Sequence, residues 1–420
     1  MITINGEGLN GSIVAIPSKS YAHRALIAAA LSDSPSKLFY TGTSDDIDVT
    51  IECLRELGSE ILPLDEGGVL VKPILKKVTV PILDVGESGS TFRFLLPVAA
   101  SLYEECSFVG RGRLPDRPIS DLMNEMKEHG VSFSSDKLPF TTKGLLKSGV
   151  FTLPGDVSSQ YISGLLLAGP LLEGKTEIKL ETELESKPYV DITIDVLSKF
   201  GVEVKSSGRS YIIDSQKYIY SDYEIEGDWS NAAFFMIAGL LGEGIRIRGL
   251  KMDSVQGDKA VVDVLKKMGG EIQNEKGVLV CKRSELNGTE IDLKEIPDSL
   301  PILAVAASSV ANGVTKFYNI KRLRLKESDR VASVAKMIQD LGGKVKISND
   351  ELYVYGTDGL EGGVTESFGD HRLVMASSIA SMISKKNVTI KNPSAVTKSY
   401  PTFFEDFTQL GGVIIDGNIR

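Results

Sequence analysis

Apolar and polar positions along this chain fall into two interleaved series. In the first, a stretch with apolar residues on one helical face closes on a glycine and runs into an apolar strand. This happens at Leu57-Gly58, His129-Gly130, Phe200-Gly201, Met268-Gly269, Leu341-Gly342 and Leu410-Gly411, with successive glycines 72, 71, 68, 73 and 69 residues apart. Glycine takes positive φ without a Cβ penalty, so the pattern predicts helices ended by a left-handed cap. The second series is marked by Ser20, Ser90, Ser159, Ser230, Ser299 and Asp370, at spacings of 70, 69, 71, 69 and 71. Its segments, AHRALIAAALS, TFRFLLPVAAS, QYISGLLLAGP, NAAFFMIAGLL, LPILAVAASSV and HRLVMASSIAS, are apolar on nearly every side and predict buried helices. Short alternating runs at 149–153, 176–180 and 345–347 predict strands with one buried face.

Each unit then reads as a small sheet carrying two helices, an α/β class (α+β in some schemes), with six units in all. A chain of 420 residues exceeds the size at which one core stops growing, so the six group as three plus three in two domains. No low-complexity linker marks the boundary.

Composition narrows the functions. Apolar residues make up 42% and charged residues 25%, an ordinary globular balance. The net charge of -9 argues against nucleic acid or an anionic membrane as partner, so any anion site must be local. Cys53, Cys106 and Cys281 lack the spacing of a zinc site or a disulfide framework, and a reducing cytoplasm fits them. Residues 1–11 lack the order of a signal peptide and no apolar run is long enough to span a bilayer, so neither export nor membrane insertion is expected.

Two motif matches fail on context. Residues 169–176, Gly-Pro-Leu-Leu-Glu-Gly-Lys-Thr, match the phosphate-binding loop of kinases and ATPases letter for letter. That loop works because a helix follows it, whereas here a helix is expected before it and a strand after. Gly6, Gly8 and Gly11 spell a dinucleotide fingerprint, but a strand-like run follows in place of the helix.

The chemistry collects at the starts of the buried helices. Lys19, Ser20 and Arg24 stand at the first, Gly89 and Arg93 at the second, Ser158, Ser159 and Gln160 at the third, and Asp370, His371 and Arg372 at the sixth. Helix capping accounts for Ser230 and Ser299. It does not account for Arg or Lys in a first turn, which the helix dipole opposes, so a bound anion is the better reading. Arg117-Pro118, Lys326-Glu327-Ser328-Asp329-Arg330 and Lys398 extend the theme, with Lys326 and Arg330 expected on one helix face. Taken alone, that charge run reads as a solvated face. Asp298 is either a helix flank or a carboxylate able to take a hydroxyl proton. His371 is a candidate for hydrogen bonding or proton transfer within its cluster; His23 and His129 receive no function.

In order, the landmarks are Pro-Ser-Lys19-Ser-Tyr-Ala-His-Arg24, Gly-Glu-Ser-Gly89-Ser-Thr-Phe-Arg93, Leu-Pro-Asp-Arg117-Pro-Ile, Gly-Asp-Val-Ser158-Ser-Gln160, Ser186-Lys-Pro-Tyr189, Glu-Gly-Asp228, Asp298-Ser-Leu-Pro, Lys326-Glu-Ser-Asp-Arg330, Gly-Asp370-His-Arg372 and Lys398-Ser-Tyr-Pro. Over nearly its whole length the chain thereby resembles the 5-enolpyruvylshikimate-3-phosphate synthases, or 3-phosphoshikimate 1-carboxyvinyltransferases, of the enolpyruvyl transferase family.

The resemblance implies two domains, each of three βαβαββ units. One would hold residues 1–18 and 227–420, the other 19–226, with hinge crossovers near 19 and 227 and the active site in the interdomain cleft. It implies transfer of the enolpyruvyl group of phosphoenolpyruvate to the 5-hydroxyl of shikimate 3-phosphate with release of phosphate, a cytoplasmic step toward chorismate and the aromatic amino acids.

The residues carried over for shikimate 3-phosphate are Lys19, Ser20, Arg24, Ser158, Ser159, Gln160, Ser186, Tyr189, Asp298 and Lys326. For phosphoenolpyruvate they are Lys19, Gly89, Arg117, Gln160, Arg330, Arg372 and Lys398. Asp298 and Glu327 would be base and acid, with Lys19 able to share either transfer. No metal or organic cofactor and no macromolecular partner is expected, and the expected state is a monomer.

Several positions depart from the family pattern: Glu87, Ser90-Thr91, Arg322 and Trp229-Ser230-Asn231. The rival readings are a sister transferase acting on UDP-N-acetylglucosamine and a phosphometabolite-binding protein without catalysis. Residues 110–118 lack the reactive Cys expected of the first, and the presence of both Asp298 and Glu327 speaks against the second.

Overall fold

The computed structural model describes every residue except 7, 76–79, 312 and 418–420. The chain divides into two compact units, one made of Met1–Ile16 with Gly227–Arg420 and the other of Pro17–Glu226. Each has its own hydrophobic core.

The Pro17–Glu226 unit carries helices α1 (Lys19–Leu31), α2 (Asp45–Glu56), α3 (Gly89–Leu102), α4 (Ser120–Glu128), α5 (Ser159–Ala168) and α6 (Lys187–Lys199). The other unit carries α7 (Trp229–Leu241), α8 (Val261–Lys267), α9 (Leu300–Ser308), α10 (Arg330–Asp340), α11 (His371–Ala380) and α12 (Phe403–Gln409). Odd-numbered helices are buried along most of their length, and even-numbered ones bury one face.

All six even-numbered helices end as their glycines require. Gly58, Gly130, Gly201, Gly269, Gly342 and Gly411 have φ between 76° and 104°. The residue after each returns its N–H to a carbonyl five positions back, as Ser59 does to Leu54 O and Gly412 to Phe407 O. This double closure satisfies carbonyls that the last turn would otherwise leave bare.

Among the described residues there are six four-stranded sheets, three in each unit. Each contains one parallel pair at an edge and two antiparallel pairs beyond it, as in Val150–Leu153, Thr176–Leu180, Ser210–Ile213 and Lys205–Ser207. A parallel pair needs a crossover, and in five of the six sheets it contains the buried helix, whereas Ser36–Phe39 and Tyr223–Glu224 are joined by most of their unit. Strand Asn10–Val14 pairs in parallel with Gly244–Arg248, so the whole Pro17–Glu226 unit is inserted into the crossover that contains α7. At the two chain crossings Asp228 N donates to Ile16 O and Ser18 N to Glu226 O, both at 2.8 Å.

Residues 176–180 form the expected strand, with α5 before them, so the loop-like sequence at 169–176 has no helix after it. Two expectations are corrected. Ser230 lies inside α7 and bonds Asp258 Oδ1 at 3.1 Å, while Asp228 caps the helix through Asn231 N. Ser299 precedes α9 without a side-chain cap.

Candidate active site

The α7–α12 unit gathers a charged cluster from four separate chain segments. Asp298 lies in the 3-10 turn Pro297–Ser299 before α9. Arg330 opens α10, and Asp370 caps α11 by accepting from Arg372 N at 3.0 Å. Lys398 ends the 3-10 segment Pro393–Lys398 and donates to Gly369 O at 2.8 Å.

Arg330 stands at the centre. Its Nη1 meets Asp298 Oδ1 at 2.6 Å, its Nη2 meets Glu327 Oε2 at 2.6 Å and its Nε meets Asp370 Oδ2 at 3.0 Å. Asp298 also receives Lys326 Nζ at 3.2 Å and Arg372 Nη2 at 3.3 Å, and Ser328 donates to Asp370 at 3.1 Å. Three cations therefore face three carboxylates. The Arg330 and Asp370 side chains are 1% and 0% exposed, against 18% for Asp298 and 25% for Glu327. The solvent-facing edge of the cluster is formed by Asp298, Glu327 and Lys326, the last 26% exposed.

Burial alone would raise the Asp298 pKa, but Lys326, Arg372 and Arg330 together hold it well below the usual carboxylate range. For Lys326 burial prevails over the pull of Asp298, and the neighbouring Arg330 adds to it, so its pKa lies below an ordinary lysine's. Arg330 is held firmly cationic: burial opposes its charge, and Asp370, Glu327 and Asp298 outweigh that cost.

Lys326 and Arg330 do not share a helix face. Asp329 accepts from Ala332 N and caps α10, so the helix begins at Arg330 and leaves Lys326 and Glu327 in the segment before it. The cap sits inside the charge run, which spacing alone does not reveal.

The α1–α6 unit holds the other candidates. Lys19 opens α1 and pairs with Asp46, in the first turn of α2, at 2.6 Å. Arg24 is buried and joins α1, α5 and α6, donating to Thr193 Oγ1 at 2.6 Å, Ser20 O at 2.7 Å, Tyr189 O at 2.9 Å and Ser163 Oγ at 3.3 Å. Ser158 caps α5 by accepting from Gln160 N at 3.3 Å, and Ser159 is buried behind it. Ser186 precedes α6 in the left-handed region, with φ of 54°, and its backbone carbonyl accepts from Tyr189 N at 3.1 Å.

Gly89 opens α3, where a Cβ would lie 2.7 Å from guanidinium nitrogens of both Arg93 and Arg117. A side chain at this position would displace one or both guanidinium groups.

Within this unit the structure links Lys19 to Asp46, Ser20 and Tyr189 to Arg24, and Gly89 to Arg117. The α7–α12 unit links Asp298, Lys326, Glu327, Arg330 and Arg372, with Lys398 one residue from Asp370 through Gly369. In both units carboxylates or carbonyls of the protein answer the first-turn cations: Asp46 for Lys19, and Asp298, Glu327 and Asp370 for Arg330. The fold thus brings compensating charge to these cations from other segments, and an anion reaching them would share them with the protein's own carboxylates.

Sequence reasoning gives no role to Asp46 or to the Ser328 hydroxyl, and it places Arg93, Ser90 and Asp370 at helix starts without their partners. Asp46 sits in an acidic helix start indistinguishable from ordinary dipole-favouring residues. Asp370 was visible as a helix start, but its role as an Arg330 ligand was not.

Departures from the family pattern have local explanations at three places. Arg322 Nη2 donates to Lys294 O, and Trp229 Nε1 donates to Lys251 O at 3.2 Å. Glu87 lies against Gly112, where a Cβ would come 2.4 Å from the carboxyl carbon.

The profile of the family described as EPSP synthase (3-phosphoshikimate 1-carboxyvinyltransferase) matches residues 4–407. The chain belongs to the EPSP synthase family. It is 42% identical to the 3-phosphoshikimate 1-carboxyvinyltransferase of Clostridium novyi (strain NT), with 98% of each chain covered. Identity to the enzyme of the same name from Clostridium kluyveri is also 42%, covering 100% of this chain and 99% of the relative. Among solved structures, EPSP synthase from Acinetobacter baumannii shares the fold with a TM-score of 0.82 and 24% identity, covering 99% of both chains. The enolpyruvyl transferase NikO from Streptomyces tendae shares it with a TM-score of 0.78 and 17% identity, covering 98% of both. The fold is therefore the two-domain EPSP synthase type.

Proposed function

We propose that this chain transfers the enolpyruvyl group of phosphoenolpyruvate to the 5-hydroxyl of shikimate 3-phosphate, releasing phosphate, in the shikimate pathway toward chorismate and the aromatic amino acids. Family membership over residues 4–407 supports the reaction. The observation that carries the chemistry is the Asp298 carboxylate, held ionised within 3.3 Å of Lys326, Arg330 and Arg372.

Enolpyruvyl transfer needs a base for the attacking hydroxyl and an acid for the methylene carbon, followed by loss of phosphate and a methyl proton. Asp298 is the base and Glu327 the acid in this proposal. Lys19 shares one of the two transfers. Phosphoenolpyruvate is a carboxylate and a phosphate on three carbons, suited to Lys19, Arg117, Arg330, Arg372 and Lys398, with Gly89 and Gln160 offering close backbone and an amide. Shikimate 3-phosphate is assigned to Lys19, Ser20, Arg24, Ser158, Ser159, Gln160, Ser186, Tyr189, Asp298 and Lys326.

The arriving anion competes with Asp298 and Glu327 for Arg330 and Arg372. As these guanidinia turn to substrate, Asp298 loses part of the field that depresses its proton affinity. It becomes a stronger base only when substrate is present.

The two chain crossings, at Ile16–Pro17 and Glu226–Gly227, are proposed as a hinge. Scattering with added shikimate 3-phosphate should then show a smaller radius of gyration. We also propose that the enzyme is a cytoplasmic monomer; no helix among the described residues is long and apolar enough to cross a membrane.

The test of function is phosphate release from shikimate 3-phosphate plus phosphoenolpyruvate. Release with UDP-N-acetylglucosamine as the only acceptor, or from ATP alone, would overturn the assignment. Binding of both compounds without release would leave a non-catalytic protein.

A further inference from the structure

Arg93 lies one turn into α3 and is 3% exposed. Its Nη1 donates to Gly89 O at 3.4 Å and to Gln160 Oε1 at 3.2 Å, and its Nη2 donates to Pro118 O at 2.9 Å. The guanidinium carbon lies 5.8 Å from the Tyr161 ring centroid, and Tyr161 Oη donates to the same Pro118 carbonyl. One guanidinium therefore ties together the start of α3, the segment after Arg117 and the start of α5. These three places carry Gly89, Arg117 and Gln160.

Two chemical consequences follow. A glutamine amide has an acceptor at one end and donors at the other, and Arg can only donate. Arg93 therefore claims Oε1 and turns the Gln160 NH2 the other way, where it donates to Ser90 Oγ at 2.9 Å. The second consequence concerns Gly89, whose missing Cβ leaves room for the Arg93 and Arg117 guanidinia, each with a nitrogen 2.7 Å from where that carbon would be. A planar fork reaching three separate oxygens is a task for Arg and not for the point charge of Lys.

We infer that Arg93 is a positioning residue for phosphoenolpyruvate: it fixes the donor face of Gln160 and the seat of Arg117 over Gly89 while reaching substrate only through them. This rests on the proposed function, whose failure is recognised separately by absence of phosphate release from the wild-type protein.

The experiment uses the full-length Arg93→Lys enzyme, with Arg93→Gln as a second variant. The KM for phosphoenolpyruvate, which is assigned Gly89, Arg117 and Gln160 together, should rise about tenfold or more, while kcat stays within about threefold and the KM for shikimate 3-phosphate, which shares only Gln160 of these, rises several-fold less. In glutamine-labelled protein the Gln160 side-chain NH2 resonances, assigned by their loss in Gln160→Glu, should be well dispersed in wild type and averaged in Arg93→Lys. That readout does not depend on turnover. Equal rises in both KM values, an unchanged KM for phosphoenolpyruvate in a folded variant, or an unaltered Gln160 signal each overturn the inference. Failure of both variants to fold would assign Arg93 to stability alone and overturn it as well.

Discussion

The polar clusters of the two units are held by different forces. In the α7–α12 unit, three cations and three carboxylates interlock around the buried Arg330. In the α1–α6 unit, Arg24 and Arg93 are anchored on carbonyls, hydroxyls and an amide, and the close ion pair is Lys19 with Asp46 at the more exposed margin. Deleting a member of the first cluster strands a buried charge, whereas deleting a neutral member of the second loses one hydrogen bond. Hence the first cluster couples stability to chemistry, and the second can separate them.

The sharpest way to break this comparison is Asp298→Asn. It removes the proposed base and should lower kcat by roughly 10²- to 10⁴-fold in the phosphate-release assay. Retention of turnover within a few-fold would remove Asp298 from the chemistry.

Asp370→Ala should cost about 3–5 kcal/mol of unfolding free energy in a denaturant titration, because it strips Arg330 of a fully buried counter-charge and α11 of its cap. Lys19→Met should cost about 1–2 kcal/mol by the same measurement, because the Asp46 carboxylate it strands is 16% exposed and keeps some contact with water, yet should abolish most activity. Similar stability losses in the two variants would erase the distinction drawn between the units.

A pH titration tests the sign of the Asp298 effect. A carboxylate whose folded pKa is depressed contributes stability above its unfolded value of about 3.9 and loses it as pH falls through the folded value. The wild-type unfolding free energy should therefore fall steeply below about pH 4, and the slope should be shallower in Asp298→Asn. An unchanged slope would contradict the ion-pair account.

Lys398→Ala should raise the KM for phosphoenolpyruvate about tenfold and that for shikimate 3-phosphate less, read from initial rates with each substrate varied. Ser158→Ala, which removes a neutral helix cap, should cost about 1 kcal/mol of stability at most.

Much of the fold was legible because its signals are local. A glycine at the end of an amphipathic stretch predicts a positive φ, and Gly58, Gly130, Gly201, Gly269, Gly342 and Gly411 all have one. The strand at 176–180 was legible from alternation and was enough to reject the phosphate-loop match. The start of α10 was not, because Asp329, Glu327 and Lys326 form one charge run in which only one acidic residue turns back to cap.

By itself the sequence determined where helices end, which of them are buried and which residue types gather at their starts, since each depends on neighbours within a turn or two. The tertiary structure decided the partners. Arg372 reaches Asp298 across 74 positions, Gln160 reaches Ser90 across 70 and Lys19 reaches Asp46 across 27. Whether a cation at a helix start awaits a ligand or is already answered by a carboxylate depends on chain segments that meet only as each unit folds. Coulomb energy acts over a few ångströms of space, with no regard to distance along the chain.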